Sequence, residues 1–317
     1  VRFLCYNQIM GNYSVREEIG EKASKELAGY PELLRKLLYY RGIKTAKEAE
    51  TFLNPVFEEN HDPYLMRGMD KAVERISEAV EKNEKVIIYS DYDSDGIPGA
   101  VILHDFFQKI GFKNFENYIP HRVLEGFGLN DEAVEEFAKN GVNLIITVDC
   151  GIADVSESEK IKKLGMDLII TDHHLPTILN DKEILPHAVA VLDHKQKGCK
   201  YPDKNLCGSG VAFKLVQALI KKHGKKWGIA DGWEKWLLDM VAIGTISDMV
   251  QLVGENRLLA YYGLKVLRKS PRAGLQRLLS IIKTDQKNIT EDDIGFMISP
   301  RINAASRMGK PEDAFNL

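Results

Sequence analysis

Residues 85–96 read Lys-Val-Ile-Ile-Tyr-Ser-Asp-Tyr-Asp-Ser-Asp-Gly, and this stretch decides the fold. A short apolar run, Val86–Tyr89, is followed at once by an acidic turn, and the apolar residues through Phe107 then fall at helical spacing up to Gly111. A buried strand that leads through a turn into a helix is the opening of a βαβ unit. The stretch therefore predicts an α/β domain that begins close to residue 85.

The same alternation of strands and helices continues along the chain. Further strands are predicted at Asn117–Ile119, Leu144–Val148, Leu168–Thr171 and Ala188–Leu192. Strands separated by helices pair in parallel, and right-handed crossovers place the helices on both faces of the sheet. We therefore predict an α/β fold with a parallel five-stranded sheet flanked by helices.

Helical patterns flank the predicted sheet on both sides. We expect a helical N-terminal segment at residues 1–80, the α/β domain at 81–250 and a helical connector at 251–317. Helices are expected near residues 210–223, 232–243, 256–268 and 273–282. The segment that contains Arg301 and Arg307 is expected to be loop-like.

Composition excludes several classes of protein. The 317 residues are 44% hydrophobic, which suffices for a core and excludes disordered, collagen-like and disulfide-scaffold chains. With 43 basic and 46 acidic residues, the net charge of −3 gives no sign of a nucleic acid or an anionic membrane as partner. No secretory signal and no membrane-length apolar stretch is found, so we expect a cytoplasmic protein. The cysteines lack metal-ligand spacing and are expected to be reduced thiols: Cys5, Cys150, Cys199 and Cys207.

The turn after the first strand carries three carboxylates, Asp91, Asp93 and Asp95. Carboxylates at alternate positions repel one another unless a cation neutralises them. An EF-hand calcium loop opens in the same way, but it needs an acid at its twelfth position, which here is Ile102. It also needs a preceding helix, where this chain has a predicted strand. A cation site is therefore favoured over the alternative, a solvated acidic turn.

Acids and imidazoles follow two other predicted strands. Asp149 comes directly after Leu144–Val148, and Asp172-His173-His174 comes directly after Leu168–Thr171. Because ligands collect at the carboxyl ends of parallel strands, we expect these side chains to lie near the acidic turn. Oxygen and imidazole ligands without a thiolate suit Mn²⁺ or Mg²⁺ better than a structural zinc.

Two further signals are less specific. Asp248, in Gly244-Thr245-Ile246-Ser247-Asp248, is equally compatible with a helix cap and with a functional acid. Arg301 and Arg307 flank small residues and could hold a phosphate bidentately, with a solvated surface turn as the alternative.

Taken in order, these motifs resemble the DHH phosphoesterase superfamily. The resemblance rests on DYDSDG, IPHRVLEGFGL, VDCGI, TDHH, CGSGVAF, GTISDM and RINAASRMG, and it runs from about residue 30 to the end. Within the superfamily the chain is most similar to the bacterial single-stranded-DNA exonucleases. The resemblance implies that residues 81–250 are the DHH domain. It also implies two-metal-dependent phosphodiester hydrolysis, with Mn²⁺ or Mg²⁺, that degrades single-stranded DNA 5′→3′ in DNA repair and recombination.

The resemblance also implies roles for individual residues. The expected metal ligands are Asp91, Asp93, Asp95, Asp149, His173 and Asp248. Asp149 is expected to bridge the ions, and His174 and Arg307 to act with it as catalytic residues. The expected contacts to substrate phosphate are Arg122, Arg301 and Arg307, with Arg307 favoured for the scissile phosphate.

The chain departs from the family pattern in a few places. Asp193-His194 stands where the family usually has Asn-Pro, and Ser306 stands where glycine is common. Members of this branch normally continue into a DHH-associated domain and an OB-fold that grip the single strand, and we expect this chain to lack both. The expected partners are single-stranded DNA and a single-strand-binding protein or helicase, with no membrane.

Two other functions compete with this one. A DHH phosphodiesterase acting on short oligoribonucleotides or cyclic dinucleotides is disfavoured by the helical N-terminal segment and by the long span between TDHH and GTISDM. A non-catalytic nucleic-acid-binding scaffold would have lost metal ligands, whereas all the expected acids and the histidine are present.

Overall fold

Residues 17–317 are described by the computed structural model, and they form two compact units, residues 17–55 and 56–317. The first unit contains the helices α1 (Glu21–Glu26), α2 (Glu32–Tyr39) and α3 (Ala46–Leu53). Thr45 and Glu48 form a capping box at the start of α3, in which each side chain accepts a hydrogen bond from the backbone N–H of the other residue. The division of the chain at residues 80 and 250 stays a prediction.

The second unit is built on a five-stranded parallel sheet. This unit contains seven strands, five in the parallel sheet and two in a separate hairpin. They are β1 (Val86–Ser90), β2 (Phe115–Tyr118), β3 (Leu144–Val148), β4 (Asp167–Thr171), β5 (Thr177–Leu179), β6 (Lys182–Ile184) and β7 (Ala190–Leu192). The main sheet has the order β2-β1-β3-β4-β7, and all its pairs are parallel. The predicted five-stranded parallel sheet is thus confirmed. The antiparallel hairpin of β5 and β6 was not predicted.

Helices cover both faces of this sheet. Ile87 and Tyr89 of β1 pack towards the helices α6 (Asp131–Lys139) and α7 (Val155–Lys163). The alternate residues Val86 and Ile88 pack towards the helices on the other face, α4 (Met69–Lys82), α5 (Gly96–Lys109) and α8 (Gly208–His223). Since both faces are covered, β1 and β3 are buried along their whole length.

The chain after β7 is helical, as predicted except around Arg301 and Arg307. The remaining α-helices are α9 (Leu238–Ser247), α10 (Gly254–Leu267), α11 (Ala273–Ile281), α12 (Glu291–Asp293), α13 (Ser299–Arg307) and α14 (Pro311–Phe315). Short 3₁₀ turns lie at Phe57–Glu59, Pro63–Leu65, Trp233–Leu237 and Gln286–Asn288, and a π-helical turn lies at Ile294–Ile298.

The prediction of a loop around Arg301 and Arg307 is wrong, because both residues lie in α13. Proline in its first turn is compatible with a helix start, and Ala304-Ala305 favour its interior. The sequence pattern was misleading because this helix has few apolar residues.

Cys150, Cys199 and Cys207 are free thiols, whereas Cys5 lies outside the described residues. No helix in the described part of the chain combines the length and the apolar character that a bilayer crossing requires.

Candidate metal centre

Three neighbouring strands end in acids at the same edge of the sheet. Ser90 of β1 pairs with Val148 of β3, and Val148 pairs with Thr171 of β4. The next residue of each strand is an acid whose N–H continues the ladder: Asp91 donates to Val148 (3.0 Å), Asp149 to Thr171 (2.9 Å) and Asp172 to Leu192 (3.0 Å). The register of the sheet therefore brings these carboxyl groups together.

The turn between β1 and α5 holds the other two acids of the first motif. Oδ1 of Asp93 accepts hydrogen bonds from the N–H groups of Asp95 (2.8 Å) and Gly96 (3.0 Å). The two carboxylate oxygens of Asp95 accept from Gly208 (2.6 Å) and Ser209 (2.9 Å), at the N-terminus of α8. Asp95 thus joins the turn to α8, where the helix dipole favours negative charge.

His173 lies among the acids. Its Nε2 is 3.0 Å from Asp149 Oδ1 and 3.8 Å from Asp95 Oδ2, and its Nδ1 is 3.7 Å from Asp248 Oδ2. Asp248 follows the last residue of α9. Three groups of donors have atoms within 4.8 Å of one another: Asp149, His173 and His174; Asp95, His173 and Asp248; and Asp91, Asp93 and Asp149. All the metal ligands expected from the sequence therefore lie in one cluster.

The donors of this cluster fit a divalent cation. Asp91 Oδ1, Asp149 Oδ1 and His173 Nδ1 are buried and have no hydrogen-bond partner in the described part of the chain. Although Asp149 Oδ1 is 3.0 Å from His173 Nε2, the two atoms are not aligned as a hydrogen bond. Buried polar atoms without partners are costly, and a cation would satisfy them.

The pKa values of the acids in this cluster also favour a bound cation. Burial, followed by repulsion from Asp93, raises the pKa of Asp91 to about 7. Burial and the charge of Asp95 likewise raise the pKa of Asp248 to about 7. Burial also raises the pKa of Asp149 well above its ordinary value, with the neighbouring acids adding to it. Each shift reports a negative charge that the chain itself does not neutralise.

Asp172 has a different environment from the other acids. Burial alone would raise its pKa, but hydrogen bonds from the ring of His174 and from backbone N–H groups hold that pKa below its ordinary value. Its Oδ1 lies 2.8 Å from His174 Nδ1, and this bond raises the pKa of His174. The bond to Asp172 therefore fixes the imidazole of His174, whose side chain is 47% exposed, beside the cluster of acids and His173.

The three predicted phosphate contacts are placed differently. The guanidinium carbon of Arg122 lies 4.8 Å from the ring centre of Tyr92, and the charge of Arg122 acts to lower the pKa of Asp91. Arg301 and Arg307 are exposed on α13, and Arg301 donates to the carbonyl of Met297 (2.7 Å). Arg122 is thus beside the acidic turn, whereas Arg301 is turned along its own helix.

The helix α13 is nevertheless attached to the acidic turn. The N–H of Ser94 donates to Asn303 Oδ1 (2.9 Å), and the hydroxyl groups of Ser94 and Ser299 are 2.8 Å apart. Sequence reasoning did not single out Asn303, because no local pattern relates it to a residue 209 positions earlier.

Two other residues, Gly208 and Asp193, were not predicted to belong to the site. A Cβ at Gly208 would lie 2.5 Å from Asp149 Oδ1, so only glycine lets α8 approach this acid. Asp193 follows β7 at the same sheet edge and is fully buried, and burial raises its pKa to about 7. Applying the strand-end rule to the fifth strand would have found Asp193. The N–H groups of Gly208 and Ser209 bind the carboxylate of Asp95.

Comparison with known proteins relates this site to a family. The model of the DHH family, N-terminal domain, matches residues 85–245. The single-stranded-DNA-specific exonuclease RecJ of Bacillus subtilis is 41% identical over 285 residues, which cover 90% of this chain and 34% of the relative. RecJ of Escherichia coli is 34% identical, with 92% and 50% covered. The chain thus spans half or less of the length of these relatives.

Two solved structures of RecJ proteins are also similar to this chain. A crystal structure of exonuclease RecJ bound to manganese superposes with a TM-score of 0.69 at 32% identity, over 79% of this chain and 60% of that one. RecJ from Thermus thermophilus, in complex with Mn²⁺, gives a TM-score of 0.73 at 27% identity, over 93% and 40%.

Proposed function

The chain belongs to the DHH family, and on that premise we propose that it is a metal-dependent phosphodiesterase that degrades single-stranded DNA from the 5′ end. The observation that carries the proposal is the buried cluster of acids and His173, in which three ligand atoms have no hydrogen-bond partner among residues 17–317. The substrate follows from the relatives, which are named single-stranded-DNA-specific exonucleases. The products are nucleoside monophosphates, released during DNA repair and recombination.

We assign two divalent cations, Mn²⁺ or Mg²⁺, to the cluster. The residues that would hold the ions are Asp91, Asp93, Asp95, Asp149, His173 and Asp248, and both Asp149 and His173 belong to two of the three donor groups. When bound, such ions supply Lewis-acid stabilisation of charge on phosphate oxygens and make water a better nucleophile.

The side chains around the cluster position the substrate. Asp172 holds His174 through Nδ1, which leaves Nε2 as the donor to a phosphate oxygen. Because the bond to Asp172 raises the pKa of His174, the ring keeps its proton closer to neutral pH than a free histidine does. Arg122, Arg301 and Arg307 hold phosphate oxygens by charge-assisted hydrogen bonds as negative charge develops, and Arg301 does so after it releases the carbonyl of Met297.

The test is a comparison of substrates with Mn²⁺ present. A single-stranded oligodeoxynucleotide labelled at its 5′ end should release labelled mononucleotide at once, whereas a 3′ label should pass through successively shorter products. The duplex form should be cut at least about tenfold more slowly. Faster hydrolysis of a linear dinucleotide than of the long strand would instead favour the phosphodiesterase of short substrates.

A single-strand-binding protein or helicase as partner and a cytoplasmic location are part of this proposal. They rest on the family relationship alone.

A further inference from the structure

The loop at residues 121–125 carries Arg122 and is closed by its own side chains. Nδ1 of His121 accepts hydrogen bonds from the N–H groups of Val123 and Leu124, both at 3.2 Å. The carboxylate of Glu125 accepts from the N–H of His121 (2.5 Å), and the N–H of Glu125 donates to the carbonyl of His121 (2.9 Å). The backbone on both sides of Arg122 is therefore fixed, although Val123 and Leu124 are 76% and 81% exposed.

Glu125 attaches this loop to the sheet. Its Oε1 accepts hydrogen bonds from the hydroxyl of Tyr118 and from Asn130 Nδ2 (3.1 Å). Tyr118 belongs to β2, and its ring stacks on Tyr89 of β1 with the ring centres 5.3 Å apart. The loop is thus held by two strands of the sheet that also carries the acids.

The other ring nitrogen of His121 lies against the turn after α13. Gly309, two residues beyond Arg307, has a φ of +78°, and a Cβ there would lie 2.9 Å from His121 Nε2. The imidazole therefore touches both segments that carry predicted phosphate contacts. Nδ1 closes the loop of Arg122, and Nε2 packs against the turn that follows Arg307.

We propose that His121 is a positioning residue that holds Arg122 and the turn after Arg307 in place for the substrate phosphate. This inference rests on the proposed function, in which both arginines contact phosphate. Without the Nδ1 acceptor, the N–H groups of Val123 and Leu124 return to solvent, and only the contacts of Glu125 still hold the loop. Phosphate binding then weakens, whereas the metal ligands keep their positions because none of them belongs to the loop.

Two substitutions separate the hydrogen-bonding role from packing. In His121→Asn the side-chain oxygen replaces the Nδ1 acceptor, and in His121→Leu no acceptor remains. We expect His121→Leu to raise KM for single-stranded DNA about tenfold, with Mn²⁺ affinity within about twofold of wild type, because two hydrogen bonds are lost from the substrate loop. His121→Asn should restore KM to within about threefold of wild type.

A readout that does not depend on activity is hydrogen exchange of the segment 121–125. Its amides should exchange faster in His121→Leu and at the wild-type rate in His121→Asn. If wild-type protein hydrolyses no DNA, the proposed function fails, and hydrogen exchange still decides whether His121 holds the loop. Unchanged exchange and KM in His121→Leu, or equal impairment of the two variants, would overturn the positioning role.

The contact with Gly309 gives a second, independent test. Gly309→Ala adds a methyl group against Nε2, so KM should rise several-fold in the wild-type background and by less in His121→Asn, whose shorter side chain leaves room. The control is Gly141→Ala, because Gly141 has a similar φ of +72° but no atom of the described residues lies within 4 Å of an added Cβ. If both alanine variants behave alike, only backbone strain is at work, and the contact with His121 plays no part.

Discussion

At the scale of single residues, Asp149 combines the most unfavourable features of the site. The residue is 2% exposed, its backbone has a φ of +61°, and one of its oxygens has no partner in the described part of the chain. Asparagine tolerates this backbone about as well as aspartate does, so Asp149→Asn removes the charge and keeps the shape.

We expect Asp149→Asn to raise the thermal midpoint of the cation-free protein by about 3 °C or more, because it removes repulsion among buried acids. The same substitution removes one of the proposed ligands, so the stabilisation that Mn²⁺ gives to the wild-type protein should disappear. Scanning calorimetry with chelator and with Mn²⁺ measures both effects.

Glu132→Gln is the matched control for Asp149→Asn, since Glu132 is an exposed acid on α6. Mn²⁺ should raise the thermal midpoint of Glu132→Gln as much as it raises that of the wild-type protein. Full Mn²⁺ stabilisation of Asp149→Asn would show that this acid is not a ligand.

At the scale of elements, the attachment of α13 to the acidic turn is the decisive contact. Asn303→Ala removes the acceptor for the N–H of Ser94 and should lower the free energy of unfolding by about 1–2 kcal/mol. Mn²⁺ affinity should fall as well, because the same turn carries Asp93 and Asp95. Urea denaturation and titration calorimetry measure the two effects.

Asn140→Ala serves as the control for this substitution, because Asn140 is exposed at the end of α6. It should leave both quantities nearly unchanged. Equal urea midpoints for the two variants would mean that Asn303 does not hold the turn.

The same contact marks the limit of what the sequence predicts at this scale. Strands and strand-end acids follow from local patterns, so the sheet and the sites of Asp91, Asp149 and Asp172 could be predicted. Asn303 and Gly208 act across long separations in the chain, and their roles appear only when α13 and α8 are docked. The helical state of α13 was also missed, because its stability comes from docking rather than from an apolar stripe.

At the scale of the whole molecule, the cluster makes stability depend on pH. Asp91 and Asp248 have an ordinary pKa of 3.8, which the fold raises to about 7. An acid with a raised folded pKa binds its proton more tightly when folded, so between these two values rising pH favours the unfolded chain. The loss of stability is complete at pH values above the pKa of the folded state.

We therefore expect the thermal midpoint of the chelator-treated protein to fall by several degrees between about pH 5 and about pH 7.5 and to level off above about pH 8. Mn²⁺ should raise the midpoint more at the upper pH than at the lower, because cations and protons compete for the same oxygens. A gain from Mn²⁺ that does not vary with pH would contradict the assignment of these acids as ligands.

Because the acids lie together at one sheet edge, they also determine the order in which cations and the substrate bind. The proposed substrate, a DNA strand, is a polyanion, and the edge that it would approach is itself anionic until cations bind. Like charges in a concave, low-dielectric site repel most strongly at short range. Addition is therefore ordered, with the cations before the strand, and the rate of strand association should climb with cation occupancy rather than with the net charge of the chain.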